Sequence, residues 1–166
     1  MFYINSYTME TSVITQDLID LFNLYEDDII NSSYKLEVND TYEEYEILNI
    51  KKSESSFNEL LFKYIDKSNI SEVELYKKAY IDRRHFSKIR SSNEYHPSFG
   101  TVTLLALALN LSSLDYENLL KSASYSLPQN SYINITLKYC FDKRIYDINK
   151  VDTILYAVCG KQIKEL

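Results

Sequence analysis

The sequence predicts a mainly helical protein: five short helices forming one domain, two further helices behind it, and a small acidic α/β appendage in front. Three observations predict it. Only two glycines and two prolines occur in 166 residues, fewer than an all-β sandwich or barrel spends on its turns. From residue 57 onward, apolar residues recur at the three- and four-residue spacing of buried helix faces. Charge then divides the chain. Residues 1–50 hold eleven acids against Lys35 alone, a net of −10, whereas residues 51–166 carry a net of +4. That asymmetry implies an acidic appendage on a mildly basic domain, with the seam at Lys51-Lys52-Ser53-Glu54-Ser55-Ser56.

In the acidic region, residues 1–52, Gln16 to Tyr25 reads as a helix, with Leu18, Ile19, Leu21, Phe22 and Tyr25 apolar. Tyr34 to Val38 alternates with period two, as a half-buried strand does, and Asn39-Asp40 suits a hairpin turn. Tyr42 to Ile50 fits either the returning strand or an acidic helix.

The second region, residues 53–124, opens with Phe57, Leu60, Leu61, Tyr64 and Ile65 on one helix face. Ser71 with Glu74 forms a capping box that starts a second helix, running to about Tyr80. Asp82 suits the N-cap of a third, through Arg90, with Phe86 and Ile89 apolar. Pro97-Ser98 starts a strongly apolar fourth helix containing Val102 and the run Leu104 to Leu109. A fifth begins at Ser113, with Leu114, Leu119 and Leu120 expected inward.

The third region, residues 125–166, holds two helices. Ser131 to Phe141 has a stripe of Ile133, Leu137 and Phe141, and Asn149 to Val158 has one of Val151, Leu155 and Val158.

Composition removes several classes of function. At this length folding hides roughly 70% of the surface of the unfolded chain, so no disulfide or metal staple is needed. No stretch approaches the 18 apolar residues of a membrane helix, and the start has no basic segment followed by an apolar run. A cytoplasmic protein without membrane contact is the expectation. Cys140 and Cys159 stand apart from any other thiol or imidazole at ligand spacing, which reads as two reduced core thiols. Neither Gly100 nor Gly160 has a neighbouring glycine, so there is no phosphate-cradling loop. His85 reads as a surface helix residue and His96 as a loop residue packing its ring; two histidines without a carboxylate–thiol set offer little for catalysis. Enzyme activity, metals and cofactors are not expected. Sixteen Tyr without Trp, among many Asn, Ile and Lys, matches the coding bias of an AT-rich bacterium or its phage.

The run Leu75-Tyr76-Lys77-Lys78-Ala79-Tyr80-Ile81-Asp82-Arg83-Arg84-His85-Phe86-Ser87-Lys88-Ile89-Arg90, then Pro97-Ser98, then Thr103 to Leu111, carries a resemblance. It resembles the Cro and phage-repressor (XRE) helix-turn-helix family over about residues 70–124. The family's pattern is roughly LAxxxGISxxxISxIExG followed by PSxxTLxxLAxALxVS, and the spacing fits without a gap. The resemblance implies a five-helix helix-turn-helix domain whose third helix enters the major groove. Base contacts then fall on Arg83, Arg84 and Lys88, and Lys77, Lys78, Arg90 and the loop Ser91-Ser92-Asn93 face phosphates. Three positions depart from the pattern. Tyr80 replaces the turn glycine, so the turn is expected to be built differently. Tyr76 replaces a small residue at the helix crossing, and Glu72 stands where a phosphate-binding Gln is frequent.

Two functions follow as expectations. The first is a small bacterial or phage regulator that binds double-stranded DNA as a homodimer. Tyr132, Tyr139, Phe141, Tyr146 and Tyr156 would supply its dimer contact. The second is a protein-binding module, either a phage anti-defence inhibitor or a defence-system accessory. There the acidic, Tyr-rich front (Asp27, Asp28, Tyr42, Glu43, Glu44, Tyr45, Glu46) mimics nucleic acid toward a partner with a basic cleft. The plain alternative for each charged group is a solvated helix face.

Overall fold

The computed structural model describes residues 56–92, 95–128 and 131–166, and among these every regular element is helical. In chain order they are α1 (Phe57–Ser68), α2 (Glu72–Lys78), α3 (Arg83–Ser91), α4 (Phe99–Ala108), α5 (Ser113–Ser122), α6 (Tyr132–Asp142) and α7 (Ile148–Cys159). A 3-10 turn, Ile163–Glu165, follows. The helix expected at Gln16–Tyr25, the hairpin around Tyr34–Val38, and the acidic set from Asp27 to Glu46 lie outside the described residues.

Local chemistry starts these helices. Ser56, Ser71, Asp82, Ser98, Ser112 and Asp147 each accept, through the side chain, the backbone N–H three residues on. Such a bond satisfies a donor that the helix leaves unpaired. The capping box of Ser71 and Glu74 is present, and Ser56 with Glu59 forms another.

Helix ends show how a chain poor in glycine turns. After α2, α4, α5 and α6 a residue takes positive φ: Tyr80 at 53°, Asn110 at 53°, Ser124 at 61° and Arg144 at 55°. The next N–H reaches back five residues in every case: Ile81 to Tyr76, Leu111 to Ala106, Tyr125 to Leu120, and Ile145 to Cys140. These are Schellman caps, in which an apolar residue after the left-handed one packs back on the helix. Ile81 and Leu111 are buried for that reason. The expectation that Tyr80 forces a differently built turn is corrected: the turn keeps the left-handed position. A tyrosine occupies the left-handed position, held by the Ile81 anchor behind it.

α4 is the centre of the fold. Every residue from Gly100 to Leu109 is buried, and α2, α5, α7 and the 3-10 turn pack around it. A side chain at position 100 would collide with the Ile163 carbonyl, so the glycine lets the 3-10 turn lie directly on the helix. The remaining layers are α1 against α5 and α6 against α7. Tyr116 of α5 is fully buried, stacked on Phe141 with ring centroids 4.0 Å apart. Its hydroxyl donates to Thr103 Oγ1 at 2.9 Å, because the Thr103 hydroxyl itself donates to the Phe99 carbonyl at 2.9 Å. On the outer side of the same helix, Tyr64 of α1 donates to Asp115 Oδ1 at 3.0 Å.

Two expectations about faces are corrected. Leu114 is 67% exposed rather than inward. The Ser112 cap sets the phase of α5 so that Tyr116, Leu119 and Leu120 face the core, and Leu114 lies about 200° from Tyr116 around the helix. Of the five aromatics expected to form a dimer contact, Tyr139 and Phe141 are buried and Tyr146 is half-buried, leaving Tyr132 and Tyr156 exposed. The chain's own core takes the others. Both cysteines are free thiols, Cys140 buried and Cys159 half-buried.

The hydroxyl chain at Tyr116 makes an asymmetric prediction. Tyr116→Phe removes one hydrogen bond and should cost about 1 kcal/mol. Thr103→Val strands a buried hydroxyl and should cost about 1–3 kcal/mol, with the double variant less destabilised than the sum. Urea unfolding of the four proteins checks this. Alkali provides a second test. Burial pushes the Cys140 thiol from an ordinary 9.0 up to about 12. Burial, then the bond to Asp115, pushes Tyr64 from 10.0 up to about 12. Both groups keep their protons longer folded than unfolded, so their contribution is complete below about pH 9 and is lost as pH rises toward about 12. Thermal midpoints should fall across that interval, and less steeply in Cys140→Ala.

Candidate nucleic-acid interface

α3 has nine residues, and its two faces differ completely. Phe86 and Ile89, three apart, are buried and anchor the helix. Arg83, Arg84, Ser87, Lys88 and Ser91 are exposed. At 3.6 residues per turn, Arg84, Lys88 and Ser91 line up in one row, with Arg83 and Ser87 in the row beside it. The three cations form no ion pair or side-chain hydrogen bond with any described residue.

Arginines at the first two positions of a helix oppose its dipole, which favours anions there. Asp82 offsets this as N-cap: its Oδ1 accepts the His85 N–H at 2.9 Å, and that bond draws its carboxyl below the usual carboxylate range. Two side-chain contacts hold α3 from behind. His85 is half-buried, with Nε2 2.6 Å from the Tyr95 hydroxyl and the two rings edge to face at 5.7 Å. Asn58, buried on α1, donates Nδ2 to the Ser92 carbonyl at 3.1 Å, just beyond the end of the helix. Tyr76 is accommodated at the α2–α3 crossing by laying its ring against Phe86, centroids 5.8 Å apart at 44°.

The other basic candidates differ in freedom. Lys77 is exposed and has no partner among the described residues. Lys78 is engaged: its ammonium donates to the Ala108 carbonyl at 2.7 Å and to Asn110 Oδ1 at 3.2 Å, capping the end of α4. Arg90 pairs with Glu72 at 3.0 Å, joining the last turn of α3 to the first residue of α2. The cluster thus divides into a set without a partner among the described residues (Arg83, Arg84, Lys88, Lys77) and a set engaged at the surface (Lys78, Arg90).

No family model, curated protein or solved structure matches this chain.

A short helix presenting guanidinium and ammonium groups that form no ion pair with any described residue suits multivalent anions. Elsewhere, His96 packs its ring on Tyr125 at 5.1 Å, and no three His, Cys, Asp or Glu among the described residues come within reach of one metal ion. Among the described residues no helix is long and apolar enough to cross a membrane. Sequence reasoning missed Tyr95 and Asn58. An Asn one position from Phe57 on a buried helix face was the available signal for the second; for Tyr95 there was none.

The two lysines of α2 should separate on substitution. Lys78→Ala removes a charged bond to a helix end and should lower stability by about 1–2 kcal/mol, whereas Lys77→Ala should stay within about 0.5 kcal/mol. Urea midpoints of the two variants decide it.

Proposed function

We propose that this protein binds double-stranded DNA, with α2, the turn at Tyr80 and α3 acting as a helix-turn-helix of the Cro and phage-repressor type. In this reading α1 to α5 form the five-helix DNA-binding domain, and α6 with α7 is a C-terminal extension. The protein is then a small cytoplasmic transcriptional regulator of bacterial or phage origin, acting as a homodimer. The observation that carries the reading is the outward face of α3, where Arg83, Arg84 and Lys88 stand exposed, without an ion pair to any described residue, opposite the buried Phe86 and Ile89. Arg and Lys meet guanine O6 and N7 in the major groove by matching donors to acceptors. Lys77 contributes a phosphate contact that positions without reading sequence. A dimer doubles a modest single-helix contact and spaces two half-sites about one helical turn apart. Tyr132 and Tyr156 are the aromatics exposed for that contact.

A second reading rests on the net charge of −10 in residues 1–50. There the acidic front, with Asp27, Asp28, Tyr42, Glu43, Glu44, Tyr45 and Glu46, presents carboxylates to a protein partner whose basic cleft normally holds nucleic acid.

Electrophoretic shift of the full chain against a random-sequence duplex pool, at low and moderate salt, separates the two. The DNA reading expects selection of a preferred sequence, with Arg83→Ala and Arg84→Ala each losing about 1–3 kcal/mol of binding free energy. Glu72→Gln should strengthen binding, because it releases Arg90 and removes a carboxylate that repels phosphate. Failure of the full chain to shift any duplex at low salt overturns this reading and moves the search to a protein partner.

A further inference from the structure

The turn leading into α3 holds a second set of donors that the resemblance does not predict. Lys164, in the 3-10 turn Ile163–Glu165, is exposed, and its ammonium lies 5.6 Å from the centroid of the Tyr80 ring. It forms no ion pair with any described residue. The Tyr80 hydroxyl accepts a hydrogen bond from Asn149 Nδ2 at 3.4 Å, so its own proton remains available to an acceptor. Tyr80 is 55% exposed and three residues before Arg83, which limits their separation to about 11 Å.

The support beneath these groups is packed into the core. Ile163 is fully buried, its N–H donates to Asp152 Oδ1 at 2.8 Å, and its carbonyl lies against Gly100 of α4. Asn149 sits in the first turn of α7, one residue after the buried Ile148. Three chain segments distant in sequence thus bring an ammonium, a phenolic hydroxyl and a carboxamide to one exposed spot, with no described carboxylate within 4 Å of the ammonium. Donors of these kinds hold phosphates of a nucleic-acid backbone while leaving base sequence unread.

We propose that Lys164 is a backbone-phosphate contact, positioned by Tyr80 and Asn149, which extends the interface of α3 onto the C-terminal turn. The inference rests on the DNA-binding reading above. Lys164 supplies the charge; the Tyr80 ring fixes where the ammonium stands, and Asn149 fixes the Tyr80 hydroxyl.

The test is the dependence of log Kobs on log salt for the full chain on a duplex, for wild type, Lys164→Ala, Lys164→Arg, and the pair Arg83→Ala with Arg84→Ala. Loss of one phosphate contact should reduce the slope of Lys164→Ala by about 0.9, with base preference and thermal midpoint unchanged. Lys164→Arg should restore the slope. Tyr80→Leu, which removes the seat, should weaken binding in wild type but add nothing in Lys164→Ala. An unchanged slope in Lys164→Ala, while the paired arginine variant loses binding, overturns the inference and leaves the DNA-binding reading standing. A wild-type chain that binds no duplex removes both.

Discussion

A helix with no polar face cannot sit at a surface, and α4 is such a helix. From Gly100 to Leu109 nothing on it is exposed, so other elements must cover it on every side. α2 and α5 supply part of that cover, α7 and the 3-10 turn the rest. The polar atoms that α4 contains have to be satisfied within the same shell. Thr103 is answered by Tyr116, and the carbonyl of Ala108 at the far end by Lys78. Position 100 must be glycine because the covering turn approaches to backbone contact. The placement of α3 follows from this: α2 is held on α4, and α3 is held on α2 through Phe86 and Tyr76.

Much of this was legible in the sequence because it is locally encoded. Among the described residues, α1 to α7 are each predicted by apolar stripes or by polar residues at their starts, which act within one turn. What the sequence did not disclose is of two kinds. The first concerns phase: its apolar side chain predicts Leu114 inward, whereas Tyr116, with a polar tip, is the residue at the centre. The second concerns contacts between residues far apart in the chain. Tyr95 meets His85 ten positions back, Lys78 meets Ala108 thirty positions on, and Asn58 meets Ser92 thirty-four positions on. No periodicity encodes such pairs.

The candidate site shows the same division. That the window around α3 is rich in cations is plain from the letters alone. Which of those cations are free is a property of the fold, because Glu72 and the end of α4 reach Arg90 and Lys78 from other helices. Six basic side chains that look equivalent in the sequence are therefore unequal. All six are exposed, but Lys78 and Arg90 are engaged by described residues and the other four are not.

The four Schellman caps bear on the denatured chain as much as on the native one. A glycine at a left-handed position costs nothing in the fold but leaves the unfolded chain with the widest choice of backbone conformations. Tyr80, Asn110, Ser124 and Arg144 reverse that balance. Each carries some strain when folded, and each has fewer conformations to lose on reaching that state. The protein thus places its turning tendency in the apolar residue that follows, such as Ile81 or Leu111, rather than in a flexible hinge. Cooperativity is the consequence: a turn closed by a buried anchor, as at Ile81 and Leu111, cannot open by itself, and those two joints should give way only when the core does.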